Sequence, residues 1–65
     1  MKINWKDSYI EQLTQLTQVT WDGDLICKPH RDRLIECGYA ARTNGFNFIT
    51  SNGIILLNNL GIIRV

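Results

Sequence analysis

Two cysteines and the single histidine are the first candidates in this chain for metal binding or catalysis. Cys27, His30 and Cys37 are the kinds of side chain that bind zinc or act as nucleophiles. Their Cys-x2-His-x6-Cys spacing is not that of a zinc site, and Cys37 would lie roughly three helical turns from Cys27. A Cys27–His30 pair would lack an orienting third group and an oxyanion site. We therefore expect no metal, no cofactor and no enzymatic activity.

The same two cysteines are expected to be free thiols. If they bracket one helix, they lie roughly 15 Å apart along its axis, whereas a disulfide needs Cα atoms within about 7 Å. Free thiols fit a reducing compartment. The chain begins Met-Lys-Ile-Asn-Trp-Lys, without the apolar stretch of a secretory signal, and no run approaches the ~20 apolar residues of a membrane span. We expect a cytoplasmic protein without membrane association.

Positive charge is concentrated in the middle of the chain. The net charge is only +1, but residues 25–42 carry four cationic side chains against two acidic ones, while residues 1–24 carry two lysines against four acids. The four central cations are Lys28, Arg31, Arg33 and Arg42. Such a cluster could neutralise phosphates, although charges on a helix are more often its solvated face.

The elements that must position these residues fit into one small domain. A chain of 65 residues buries only about 60% of its unfolded surface. Hydrophobic residues make up 45%, enough for one core, and a charged fraction of 20% with one proline argues against disorder.

A central helix is predicted over residues 28–37. Pro29 suits its first turn, because the missing N–H has no helical partner there, and Gly38 can take the left-handed conformation that ends a helix. Three- and four-residue steps define its two faces. The inward stripe comprises Cys27, His30, Leu34 and Cys37, the outward face comprises Lys28, Asp32, Arg33 and Glu36, and Arg31 and Ile35 lie on the flanks.

A β-hairpin is predicted next, at residues 39–49. Asn44-Gly45 favours the positive φ angles of a type I′ turn and lies between two strands, 39–42 and 46–49. Leu25-Ile26 is a short apolar pair that predicts a brief third strand at the hairpin's edge.

The first helix shows a stripe of apolar residues, widened by Tyr9 and Thr17: Ile10, Leu13, Leu16 and Val19. It could begin at Asn4, Asp7 or Ser8, and it should end near Val19 or Thr20, before the turn Trp21-Asp22-Gly23-Asp24.

The last helix is predicted over residues 54–60. Thr50 or Ser51 would cap it, and Gly61 would stop it. Its inward stripe consists of Ile54, Leu57 and Leu60.

This order of elements resembles the winged helix-turn-helix family over roughly residues 8–60. Residues 33–40, Arg-Leu-Ile-Glu-Cys-Gly-Tyr-Ala, resemble the end of the family's recognition helix. Residues 48–53, Phe-Ile-Thr-Ser-Asn-Gly, resemble the second wing strand and the Leu-Thr-x-x-Gly helix start common in small bacterial and phage regulators. The resemblance implies an α+β, winged-helix-like domain of three helices and a small antiparallel sheet.

One departure from the family concerns the helices before the wing. The family usually has two helices between its first strand and the wing, and residues 27–39 leave room for one. Either the turn at 20–27 replaces the other helix, or that helix has shrunk to a single turn.

Two functions follow from the resemblance. The first is a transcriptional regulator that binds double-stranded DNA as a dimer, with helix 28–37 as the reading element and residues 39–49 as the wing. Its DNA-binding residues would be Lys28, His30, Arg31, Arg33, Arg42, Asn44 and Asn47. The second is an interaction protein on the same scaffold, such as a phage-encoded inhibitor or adaptor, that does not bind DNA. The near-neutral charge and the missing helix favour it.

The two hypotheses make different demands on the surface. DNA binding requires Arg31 and Arg33 to face solvent together, and pairing with the protein's own acids would end the case for nucleic acid. A protein partner or a second copy requires exposed apolar side chains. Residues 62–65 and an exposed Trp5 are candidate pairing surfaces. Trp5 and Trp21 would usually be core anchors, but an exposed tryptophan would be a binding hot spot.

Overall fold

A computed structural model describes residues 7–63 as three helices and a three-stranded antiparallel sheet, which confirms the predicted α+β class. The helices are α1 (Asp7–Gln15), α2 (Lys28–Glu36) and α3 (Ser51–Asn59). The strands are β1 (Thr20–Trp21), β2 (Ala40–Thr43) and β3 (Phe46–Ile49), and a 3-10 turn spans Asp22–Asp24. Strand β3 lies at the centre, in the order β1–β3–β2. None of the helices in the described part is long and apolar enough to cross a membrane.

Helix α1 ends at Gln15, so the predicted end near Val19 or Thr20 is wrong. The chain tightens after Gln15, because the Leu16 N–H donates to the Leu13 carbonyl at 3.0 Å. Thr17 and Val19 were predicted to widen and extend the buried face of this helix, but both are exposed. They lie in the connection between the end of α1 and the start of β1 at Thr20, so the helical spacing does not apply to them.

The structure describes the first helix from Asp7 onwards. The candidate start at Asn4, like Trp5 and residues 64–65, lies outside the described residues. Asp7 and Ser8 already lie within α1.

The third strand is Thr20–Trp21, so the prediction of a strand at 25–26 is wrong. Thr20 pairs with Asn47 and Trp21 with Phe46. The 3-10 turn then carries the chain away from the sheet, which leaves Leu25 half-buried against the core and Ile26 exposed.

The turn and cap predictions are confirmed. Pro29 lies in the first turn of α2. Gly38 has a φ of 85° and, with the Tyr39 N–H donating to the Leu34 carbonyl at 2.9 Å, it ends α2 in a Schellman motif. Asn44 and Gly45 have φ angles of 53° and 85°, as a type I′ turn requires.

Thr50 is the residue that caps α3, and it also ties two helices together. Its hydroxyl accepts from the Gly53 N–H at 3.2 Å and donates to the Gly38 carbonyl at 2.6 Å. The start of α3 is thereby fixed to the end of α2.

The core lies between the helices and the inner face of the sheet. Its buried apolar side chains are Ile10, Leu13, Leu16, Leu34, Ala40 and Leu57. Three predictions fail at its margins. Cys37 is exposed because α2 ends at Glu36, Leu60 is exposed at the end of α3, and Arg31 is buried rather than on a flank.

Candidate functional site

Arg31 is the buried cation of the protein's interior, with only 9% of its surface exposed. Its Nη1 donates to Oδ1 of Asp22 at 3.0 Å and to Oδ1 of Asn47 at 2.7 Å. Its Nε donates to Oδ1 of Asp32 at 2.8 Å. The guanidinium is therefore held by groups of the protein itself, and burial of its charge is compensated.

Asp22 is the acceptor on which several of these bonds converge. Its carboxylate also accepts from Arg42 Nε at 3.0 Å and from Asn47 Nδ2 at 2.9 Å. The hydrogen bonds from Arg42 and then Asn47 hold the pKa of the Asp22 carboxyl well below its usual range. The same ion pair raises the pKa of Arg42. We call this group the Asp22 cluster; it consists of Asp22, Arg31, Arg42 and Asn47.

Asn47 joins the Asp22 cluster to the sheet. Its side chain is fully buried on β3, and its Nδ2 donates to the Thr20 carbonyl on the neighbouring strand at 2.9 Å. Because it also accepts from Arg31 on α2, its amide is bonded on both sides. The cluster thus links the 3-10 turn, α2 and all three strands.

Three of the residues predicted to bind DNA are members of the Asp22 cluster. Arg31 and Asn47 are buried and hydrogen-bonded to each other within the protein. Arg42 is exposed but paired with Asp22. The sequence does contain a signal for the burial of Arg31, because Arg31 lies three residues before the buried Leu34 and so falls on the same helix face.

The remaining predicted residues are distributed unevenly over the surface. Lys28, Arg33 and Asn44 are exposed, and Arg33 Nη1 lies 3.5 Å from Oε1 of Glu36. His30 is half-buried, with its ring centroid 4.0 Å from that of Tyr9 on α1. Its buried Nδ1 has no hydrogen-bond partner among the described residues.

The charge around these residues does not favour phosphate. On the outward face of α2, Asp32 and Glu36 alternate with Lys28 and Arg33. Residues 7–63 carry six acidic side chains against four cationic ones. With Lys2, Lys6 and Arg64, which lie outside this range, the full chain has a net charge of only +1.

A cluster of exposed apolar side chains occupies the outer face of the sheet. Trp21 on β1 and Phe46 on β3 are cross-strand partners, with ring centroids 5.1 Å apart and exposures of 49% and 46%. Val19, two residues before Trp21, is 66% exposed. Val19 precedes β1, and continuing the alternation of that strand by one residue would place it on the side of Trp21. We call Val19, Trp21 and Phe46 the aromatic patch.

Two glycines fix the indole of Trp21. A Cβ built at Gly45 would lie 2.5 Å from Trp21 Cζ3, and one at Gly23 would lie 3.2 Å from Cδ1. Because neither glycine has a side chain, the ring lies directly over the backbone of the hairpin turn and beside the 3-10 turn. In the sequence, Trp21 stands out only as one of two tryptophans, since its pairing with Phe46 depends on the strand register.

The cysteines and the metal-ligand types do not assemble into a site in the described part of the chain. Cys27 is a half-buried free thiol and Cys37 an exposed one. Within residues 7–63, no group of three or more His, Cys, Asp or Glu side chains is arranged to hold a metal ion.

Comparison of the chain with known protein families, with curated proteins and with solved structures finds no match. The Asp22 cluster and the aromatic patch are therefore the features from which a function can be inferred.

Proposed function

We propose that this chain is a protein-interaction module on a winged-helix-like scaffold, which binds a partner protein through the aromatic patch. The order of helices and strands, with β3 between β1 and β2, supports the scaffold. The 3-10 turn at Asp22–Asp24 stands where the family has its additional helix, in line with a helix reduced to one turn.

The observation that carries the proposal is the pair of exposed aromatic rings, of which Trp21 lies against the backbone of Gly23 and Gly45. Trp21 and Phe46 are large apolar side chains of the type that dominates binding hot spots. Because Gly23 and Gly45 already restrict the indole, little side-chain entropy remains to be lost on binding. A partner that covers the aromatic patch would remove both rings from water.

Within residues 7–63, the competing DNA hypothesis retains few cations that are free of acidic neighbours. Of the arginines it needs, Arg31 is buried in the Asp22 cluster and Arg42 is paired with Asp22. Lys28 and Arg33 remain exposed, beside acidic neighbours on α2. Affinity for phosphates grows with the number neutralised, so two partly compensated side chains provide a weak basis for DNA binding.

The test begins with a charge placed in the aromatic patch. We expect Val19→Asp to weaken partner binding roughly tenfold or more, because an aspartate at this position would have to be desolvated in an apolar interface. Val19 is largely exposed, so the fold should tolerate the change. Ile26→Asp is the matched control, since Ile26 is another exposed aliphatic residue outside the patch.

The measurement is affinity capture with the wild-type chain and both variants, followed by titration of the purified partner. A partner lost with Val19→Asp and retained with Ile26→Asp supports the proposal, provided that binding changes little between about 50 and about 300 mM salt. The opposite result is a chain that shifts random DNA fragments, with steep salt dependence and loss of binding in the Lys28→Ala, Arg33→Ala double variant. That result would overturn the proposal in favour of DNA binding.

A further inference from the structure

A mostly apolar groove of about 560 Å³ lies beside α1 and shares no residue with the aromatic patch. Three isoleucines line it from separate parts of the chain: Ile10 on α1, Ile26 before α2 and Ile62 after α3. Ile26 and Ile62 are 56% and 46% exposed, so much of their apolar surface is in contact with water. Concave apolar surfaces of this size are the usual binding sites for apolar groups.

The groove also carries one charge. Its other lining residues are Glu11, Thr14 and Gln15. Glu11 is exposed, and among the described residues it makes no ion pair. Gln15 is already engaged, because its amide donates to the Asp24 carbonyl at 2.8 Å and accepts from the Ile26 N–H at 3.2 Å. The groove therefore favours an occupant that is both apolar and positively charged.

The sequence just before α1 has this composition. Residues 1–6, Met-Lys-Ile-Asn-Trp-Lys, lie outside the described residues; they include Ile3 and Trp5, two lysines and no acid. With Asp7 as the first helical position, Trp5 holds the position N′ and Ile10 the position N4. A hydrophobic residue at N′ often packs against the residue at N4, in the hydrophobic staple. This spacing directs the indole towards one of the three isoleucines that line the groove.

We propose that the groove beside α1 is the binding site of the chain's own N-terminal segment, residues 1–6. The indole of Trp5 occupies the space between the three isoleucines, and the lysines of the segment lie near Glu11. The tether is long enough: Ile10 is roughly 4.5 Å from Asp7 along the helix axis, and the two residues back to Trp5 span up to ~7 Å.

The covalent tether favours this occupant over a separate molecule. A short flexible connection gives an effective concentration in the millimolar range. A contact with an intrinsic dissociation constant of about 100 µM is then about 90% formed within the chain. Trp5 is thereby an internal ligand, and Trp21 is the tryptophan left for a partner. The inference does not depend on the proposed function, because the aromatic patch is formed by other residues.

The first test uses the full chain with Trp21→Phe, in which Trp5 is the only tryptophan. We expect its fluorescence emission to be blue-shifted relative to the urea-unfolded chain. Quenching by acrylamide should be about tenfold weaker than in urea, because only about 10% of the indoles are undocked. Emission and quenching equal to those of the unfolded chain overturn the proposal.

The second test separates the groove from other apolar surroundings of the indole. In the same background, Ile62→Asp should raise the quenching of Trp5 several-fold, because docking would desolvate the new carboxylate. Ile55→Asp is the matched control, since Ile55 is another exposed isoleucine and does not line the groove. Circular dichroism should show both variants folded. Quenching that is raised equally by both variants, or by neither, overturns the groove as the binding site.

The third test addresses the charges. Glu11→Lys should raise the quenching of Trp5 about twofold, because an exposed ion pair is weak and the new ammonium repels the segment. Adding Lys2→Glu and Lys6→Glu should restore the low quenching. A failure of this charge exchange to restore it overturns the position given to the lysines. None of these measurements involves a partner protein, so a negative result here leaves the proposed function standing.

Discussion

At the scale of single residues, Arg31 is buried and paired with groups of the protein itself. A buried guanidinium is costly unless its donors are paired, and Arg31 meets this condition with Asp22, Asp32 and Asn47. Such a network adds little net stability, but it tolerates few alternative arrangements. The cluster therefore defines how the 3-10 turn sits against α2 and the sheet.

The lowered pKa of Asp22 predicts how stability depends on pH. A carboxyl whose folded pKa lies below its unfolded value of about 3.9 stabilises the fold fully above that value. This contribution is lost as the pH falls below about 4, towards the folded pKa. We expect Asp22→Asn to be less stable than the wild type at pH 7, with the difference in free energy of unfolding shrinking below about pH 4.

Urea denaturation from about pH 2.5 to about pH 7 measures this difference across the range in which the carboxyl titrates. Asp24→Asn is the control, because Asp24 is an exposed acid in the same 3-10 turn and lies outside the Asp22 cluster. A difference between wild type and Asp22→Asn that is the same at both ends of the range would contradict the role given to this carboxylate.

At the scale of elements, close packing at the start of α3 overrides helix propensity. A Cβ at Gly53 would lie 2.3 Å from the Tyr39 carbonyl oxygen and 2.5 Å from Ile49 Cγ1. Replacing an interior helical glycine by alanine normally stabilises a helix by up to about 1 kcal/mol. At Gly53 we expect the opposite sign, a loss of about 1–3 kcal/mol, because α3 must move away from the sheet.

Chemical denaturation followed by circular dichroism gives the free energy of unfolding for Gly53→Ala. Asn52→Ala, at the exposed neighbouring position, should change stability by less than about 0.5 kcal/mol. If Gly53→Ala proved as stable as the wild type, the close approach between α3 and the β2–β3 pair would be wrong.

At the scale of the whole molecule, the charged residues are distributed unevenly along the chain. The first part of the chain carries nearly all charged residues and neutralises many of them internally, whereas residues 43–63 carry none. Long-range attraction to a polyanion needs uncompensated positive charge, and the full chain has a net charge of only +1.

We therefore expect the chain to elute from a heparin column below about 150 mM salt, since a chain with a net charge of only +1 has few counterions to release. The Lys28→Ala, Arg33→Ala double variant should elute at nearly the same salt concentration, because these two cations have acidic neighbours. Retention to several hundred millimolar salt, lost in this variant, would show that α2 presents a polyanion-binding surface after all.

Much of the fold could be predicted from the sequence, because the decisive signals are local. Gly38, Asn44-Gly45 and Thr50 each fix a backbone conformation through their own φ preference or side chain, and they mark a helix end, a turn and a helix start. The apolar spacing also identified Leu13, Leu16, Leu34 and Leu57 as core. These features depend on neighbours within a few residues along the chain.

Only the tertiary structure decided the candidate site. Arg31 is buried because it finds Asn47, sixteen residues away in sequence, and Asp22, nine residues away. Trp21 belongs to a strand, and to an exposed aromatic pair, because β3 offers Phe46 as its partner. The identity of a charged or aromatic residue does not determine whether it faces water, since that depends on groups brought near it by the rest of the chain.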